Sequence, residues 1–196
     1  GLVKADTVML IGTPIDFRLG YGSEHMFPQN PKLIEIMMDA TEIGKNRDVD
    51  VGVVGDTKAI LRQIMDQLQS TGYKSPGKAW VEDVITEDQV LKAADEDMLN
   101  STQIPIHPMR VMKELRDFLD YDATVIGDRG DWVTFAARVL GINLPGHWLD
   151  PGSFGCLGAG SGFAAAAQLA RPGKQVCIVY GDGAFGLTGF DVESYV

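Results

Sequence analysis

The residues best suited to chemistry lie in Val176-Cys177-Ile178-Val179-Tyr180-Gly181-Asp182-Gly183-Ala184-Phe185-Gly186. The apolar run predicts a buried strand, and the glycines after it predict a tight turn. Asp182 stands at the strand's C-terminal end, the edge of an open parallel α/β sheet where ligands bind. A carboxylate flanked by glycines can meet a divalent cation while the bare backbone approaches a phosphate.

Other constellations are weaker. Gly158, Gly160 and Gly162 space as G-x-G-x-G, not as the dinucleotide fingerprint G-x-G-x-x-G, and no strong strand leads directly into them. Two readings stand for the 152–162 cluster: a loop whose backbone packs close to a flat ligand, or glycines that serve helix packing only. Arg18, in a glycine-rich loop, either pairs with a phosphate through its planar fork or is a surface arginine. Asp39, after the apolar run 32–38, either holds a ribose hydroxyl as in a Rossmann-like domain or turns the chain. His107, between prolines, reads as structural; His25 and His147 have no specified partner. No Ser-His-Asp elbow and no Cys-His pair is visible, which argues against a nucleophilic hydrolase.

The elements that must position these groups alternate. Apolar runs predict strands at Thr7–Ile11, buried on both faces, at Lys32–Asp39 and at Val51–Asp56. Apolar residues Ile60, Leu61, Ile64, Met65 and Leu68 recur at the helical period over Thr57–Gln69, with Asp56 or Thr57 as N-cap. From Ser70 to Gln103 polarity rises, Gly72, Pro76 and Gly77 punctuate, and a connection with a short helix near Glu87–Leu99 is expected. Then follow a helix over Met109–Leu119, a strand at Ala123–Gly127 and the turn Asp128-Arg129-Gly130-Asp131. A helix over Trp132–Leu140, a brief strand at His147–Asp150 and a small-residue helix over Phe163–Leu169 come next. After Gly186, Leu187–Val196 begins another helix. The pattern predicts α/β architecture with doubly wound parallel sheets. The domains expected are 1–70, a connection at 71–103, and 104–196.

Composition narrows the function class. The net charge of −10 argues against nucleic acid or an anionic membrane as the main partner. A phosphorylated cofactor stays open, because a metal ion and helix N-termini hold phosphate without a basic surface. No signal peptide or transmembrane span is visible. Cys156 and Cys177 fit neither a disulfide framework nor a zinc site and are expected to be buried free thiols, which places the chain in a reducing cytoplasm. The chain starts without Met and ends partway along a helix, so a piece of a longer polypeptide is expected.

Gly181-Asp182-Gly183-Ala184-Phe185-Gly186 resembles the start of the thiamine-diphosphate motif. The half from Ile104 to Val196 is similar to the diphosphate-binding domain of the acetolactate synthase superfamily, and the first seventy or so residues to the end of its central, Rossmann-like domain. Asp16-Phe17-Arg18-Leu19-Gly20-Tyr21-Gly22 and Leu149-Asp150-Pro151-Gly152-Ser153-Phe154-Gly155 resemble best the branch of acetolactate-synthase-like proteins and 2-hydroxyacyl-CoA lyases, with oxalyl-CoA decarboxylase as a neighbour.

That resemblance implies thiamine diphosphate and Mg²⁺ as cofactors. Asp182 would bind the metal, and Gly183 and Ala184 would hold the diphosphate through backbone N–H groups. Gly130 and Asp131 would meet it from the other side. The Gly155 carbonyl would accept from the aminopyrimidine, and Leu157 would prop the cofactor in its bent shape. Arg18 and Asp39 would line a nucleotide site for FAD or ADP. The activating Glu is implied upstream of Gly1 and a second metal ligand, an Asn, downstream of Val196, so this piece alone is expected to be inactive. The activity implied is C–C carboligation or cleavage: condensation of 2-oxo acids such as pyruvate with decarboxylation, or, alternatively, 2-hydroxyacyl-CoA lyase or oxalyl-CoA decarboxylase chemistry. A non-catalytic nucleotide-binding module is the alternative of another class. The full-length protein is expected to be a homodimer or homotetramer, acting on a small 2-oxo acid or an acyl-CoA.

Overall fold

The computed structural model describes residues 1–75 and 77–195. The punctuating Pro76 and the terminal Val196 of the last expected helix lie outside them. The chain divides into two compact units, Gly1–Leu91 and Lys92–Val196.

In the first unit, β1 (Thr7–Ile11), β2 (Lys32–Met37) and β3 (Val51–Val54) form a parallel sheet in the order β1-β2-β3. Val8, Leu10, Leu33 and Met37 join Ile15 and Phe27 in a core on one face. The sequence pattern predicts β1 buried on both sides; instead Met9 and Ile11 are exposed. The alternation of a strand with one covered face is the physical reason. Helix α1 (Thr57–Ser70) is capped by Asp56, whose side chain accepts from the Ala59 N–H at 2.8 Å, and contributes no buried residue. The loops beyond the sheet are tied by Arg47, which donates to the carbonyls of Gly22, Pro28 and Gln29 and lies over the Phe27 ring.

The segment after α1 is more helical than its composition suggests. In place of a short helix near 87–99 it forms α2 (Lys78–Ala94) and the single turn α3 (Glu96–Leu99). Trp80, Val81, Val84, Ile85, Val90 and Leu91 spread around α2 and leave no residue buried, which is why the segment shows no clean helical period.

In the second unit, β4 (Thr124–Gly127) runs parallel between β5 (Trp148–Leu149) and β6 (Val176–Val179). All four residues of β4 are buried, as expected of a central strand with both faces covered. On one face Met109 and Met112 of α4 (Pro108–Phe118) and Ala136 and Val139 of α5 (Asp131–Val139) pack with Val125 and Val179. On the other face lies α6 (Gly160–Ala170), close enough that a Cβ on Gly160 would sit 3.0 Å from Ile178. The doubly wound arrangement is thus present here. His107 caps α4, its Nδ1 accepting from the Met109 N–H at 3.1 Å. Among the described residues, no helix is long and apolar enough to cross a membrane.

Two elements differ at the stretch richest in glycine. The expected turn 181–186 is itself helical: Gly181 is the N-cap of α7 (Asp182–Thr188), followed by a 3₁₀ segment, Gly189–Tyr195. The small-residue helix α6 starts at Gly160, three residues before the expected start, for a reason given by Asp128 below.

Candidate functional site

Because β4, β5 and β6 are parallel, the segments that leave their C-terminal ends emerge at one edge. After β4 comes Gly130, with φ of +87°, a conformation that suits glycine, and it opens α5 at Asp131. After β5 come Gly155, in the left-handed region at φ of +64°, and Leu157. After β6 come Asp182, Gly183 and Ala184. All seven residues singled out in this half thus lie in the segments that follow these three strands. The turns after β4 and β6 are adjacent: the Asp128 N–H donates to the Val179 carbonyl at 3.1 Å, and a Cβ on Gly181 would lie 3.7 Å from the Trp132 ring.

The polar character of the edge comes from helix ends. The N-cap residues of α5 and α7 are glycines, Gly130 and Gly181, which offer no side chain to cap either helix. The first N–H groups of each helix lack an intrahelical acceptor and carry the positive end of the helix dipole. Among the described residues, nothing lies within 4 Å of where a Cβ would be at Gly130 or Gly183, so a ligand can approach both backbones closely. Asp182 and Asp131 are exposed at these openings, whereas Ala184 is buried and seats α7 on the unit.

The third helix end at this edge is closed. Asp128, fully buried directly after β4, accepts from the N–H groups of Gly158 (2.9 Å), Ala159 (3.2 Å) and Gly160 (3.0 Å). These bonds extend α6 back to Gly160 and use the amides that a phosphate would need. The glycine cluster is thus committed to its own protein at 158–160, which favours the packing reading for those residues. Across the loop, the Thr188 hydroxyl donates to the Gly158 carbonyl at 3.0 Å. In the sequence Asp128 reads only as part of a turn; its one local signal is a carboxylate placed immediately after the strand residues Thr124–Gly127.

In the first unit, Arg18 follows β1 and Asp39 follows β2. Asp16 holds the Arg18 guanidinium, accepting from its NH2 group at 2.7 Å. Asp39 caps a 3₁₀ turn at Ala40–Glu42, and its carboxylate accepts from the Thr41 N–H at 2.8 Å and hydroxyl at 2.7 Å. These bonds, the backbone one foremost, hold Asp39 below the usual aspartate range. The chain-turning reading of Asp39 is the one the geometry supports. The cysteines also part company: Cys177 is half-buried, but Cys156 is exposed, so the expectation of two buried thiols is corrected. Its neighbours Gly155 and Leu157 form a loop at the sheet edge, where the apolar sequence context does not imply burial.

Two stretches of the chain match known protein families. Residues 2–64 match the model of the thiamine pyrophosphate enzyme central domain. Residues 128–196 match that of the thiamine pyrophosphate enzyme C-terminal TPP binding domain. The chain belongs to the thiamine pyrophosphate enzyme family. Among its relatives are a probable acetolactate synthase of Mycobacterium bovis, 40% identical over 197 residues, covering 100% of this chain and 34% of the relative. The 2-hydroxyacyl-CoA lyase 2 of Danio rerio is 34% identical over 199 residues, covering 99% of this chain and 31% of the relative. The 2-hydroxyacyl-CoA lyase 1 of Mus musculus is 29% identical, covering 98% and 34%. The chain spans about a third of the length of these curated relatives.

The donor set suits the family's cofactor. A diphosphate needs N–H donors and positive potential, which the open N-termini of α5 and α7 supply. Among the described residues no group of three or more His, Cys, Asp or Glu could hold a metal by itself. A Mg²⁺ ion takes one or two carboxylates and completes its shell with phosphate oxygens and water, so a single exposed Asp182 beside a diphosphate site is compatible with it.

Proposed function

We propose that the full-length protein is a thiamine-diphosphate- and Mg²⁺-dependent C–C carboligase/lyase of acetolactate synthase type, condensing 2-oxo acids such as pyruvate with decarboxylation. The observation that carries this reading is the position of Gly130-Asp131, Gly155-Leu157 and Asp182-Gly183-Ala184 after three parallel neighbouring strands, in a chain 40% identical to a probable acetolactate synthase.

In this reading Asp182 is the protein's ligand to Mg²⁺. The N–H groups of Gly183 and Ala184 hold the diphosphate, with Gly130 and Asp131 on its other side. The Gly155 carbonyl orients the aminopyrimidine, and Leu157, half-exposed at the edge, supports the ring system. When bound, the cofactor's thiazolium ring supplies the electron sink for C–C bond making or breaking. No residue of this chain is assigned as the catalytic acid or base. The proposal does not extend to FAD or ADP, because Asp39 is occupied in its turn and Asp16 holds Arg18. A homodimer or homotetramer is part of the reading: Phe154, Leu157, Phe185, Leu187 and Phe190 in the segments after β5 and β6 are each exposed, and the Phe185 and Phe190 rings lie 6.4 Å apart, as apolar side chains at protein contacts do. The free thiols support a reducing cytoplasm.

A second reading, 2-hydroxyacyl-CoA lyase, is favoured by the 34% identity to the Danio rerio protein over nearly the whole chain. Two experiments separate the possibilities. Thiamine diphosphate is titrated against full-length wild type and Asp182→Asn, with Mg²⁺ and with chelator. Binding that needs Mg²⁺ and is severely weakened in the variant is expected; equal affinity in all four cases overturns the metal assignment. Product analysis with pyruvate and with a 2-hydroxyacyl-CoA then decides the substrate, acetolactate formation being expected.

A further inference from the structure

We infer that Asp128 is a positioning residue for the cofactor site, holding its three segments as one preformed unit without touching the cofactor. The inference rests on the proposed cofactor site and adds to it a residue outside the binding set.

Asp128 is fully buried, and a buried carboxylate is retained at little cost only when its lone pairs are filled. Here three backbone N–H groups fill them, at 2.9, 3.2 and 3.0 Å. All three belong to the N-terminal approach of α6, so the negative charge also meets the positive end of that helix. Asp128 is two residues from Gly130, and the loop it binds leads back within a few residues to Leu157 and Gly155. From the same loop the Gly158 carbonyl accepts from Thr188, the last residue of the helix that begins at Asp182. A Cβ on Gly158 would come within 3.2 Å of both Leu187 and Thr188, so loop and helix are in direct contact. The path Gly130–Asp128–loop–Thr188–α7 is continuous through hydrogen bonds and close packing. Breaking it at Asp128 frees the loop from β4 and loosens α7 through Thr188, leaving the sheet itself intact.

The test uses the full-length protein with Asp128→Asn, which keeps the side chain's size but turns an N–H₂ toward one of the three donors. Hydrogen exchange of the cofactor-free protein is expected to accelerate at Gly158–Gly160 and at Phe185 and Gly189, whose N–H groups are bonded within α7, with Val125 and Ile126 of β4 unchanged. Thiamine diphosphate with Mg²⁺ is expected to bind on the order of 10- to 100-fold more weakly, the usual loss when a supporting group behind a binding shell is removed. In turnover the loss is expected in KM for the cofactor more than in kcat. Thr188→Val, which breaks the path at its far end and leaves the buried carboxylate in place, serves if the first variant does not fold. It should accelerate the same amides and weaken binding in the same direction. Unchanged cofactor affinity with a loosened loop overturns the inference. So does acceleration spread evenly over β4 and α4, which would make Asp128 a stability residue only. Wild type that binds no thiamine diphosphate would instead defeat the proposed function, while the exchange at Phe185 and Gly189 still reports whether the path exists.

Discussion

Gly160 lies so close to Asp128 that a Cβ placed on it would sit 2.8 Å from the Asp128 Cβ and 2.9 Å from its Oδ2. Gly160→Ala in an ordinary helix would add roughly 1 kcal/mol of stability, since alanine is the better helix former. Here overpacking opposes it, at about 1–3 kcal/mol, because both atoms belong to a side chain locked by three bonds and cannot swing away. Gly160→Ala is therefore expected to destabilise, seen as a lower denaturation midpoint. A neutral or raised midpoint would mean that the carboxylate is not held as described.

Gly183 offers the opposite case. Among the described residues nothing lies within 4 Å of its Cβ position, and its backbone is not in the left-handed region. Gly183→Val is expected to leave the thermal midpoint nearly unchanged, since exposed substitutions away from special features shift stability by about 0.5 kcal/mol or less. It should abolish detectable thiamine diphosphate binding, because the new methyl groups occupy the approach to the α7 amides. Calorimetric titration of the variant checks this directly; wild-type affinity would remove Gly183 from the site.

Acid sensitivity is expected from Asp122. Its hydrogen bond from Lys174, at 2.8 Å, together with the Lys174 and Arg171 charges, holds its carboxyl below the ordinary value of 3.8 despite partial desolvation. A carboxyl lowered on folding stabilises above its unfolded pKa, and that contribution disappears as pH falls through the folded value. Asp122→Asn should flatten the stability-versus-pH curve below about pH 4 and leave its shape near neutrality unaltered. Unfolding midpoints from pH 2 to 7 are the measurement, and 1 M salt should reduce the difference.

The two thiols should react at different rates. Cys156 is exposed, whereas burial pushes the Cys177 thiol up from its ordinary value of 9.0, which lowers the thiolate fraction that attacks. A thiol reagent at pH 8 is expected to label Cys156 rapidly and Cys177 slowly. Cys156 stands between Gly155 and Leu157, so bound thiamine diphosphate with Mg²⁺ should slow the fast phase and leave the slow one alone. Peptide mapping after timed labelling distinguishes them.

Much of this protein is determined by local sequence. The apolar run ending in Gly127 specifies a central strand because both faces need covering, the run ending in Val179 specifies its neighbour, and Pro108 and Asp56 mark helix starts through backbone constraints that hold anywhere. The stretch around Asp182 carries its family resemblance in consecutive residues. Tertiary structure decided what depends on distant partners. That Gly181–Gly186 begins a helix rather than a turn follows from how Ala184 is buried, and that Ile11 is half-exposed follows from what covers β1. Which helix ends stay open for an anion was not legible either: the amides of 158–160 look as available as those of α7 until Asp128, thirty residues earlier, is brought beneath them. A buried carboxylate and its donors meet only when strand order and helix docking place them within 3 Å of one another, and no local pattern encodes that distance.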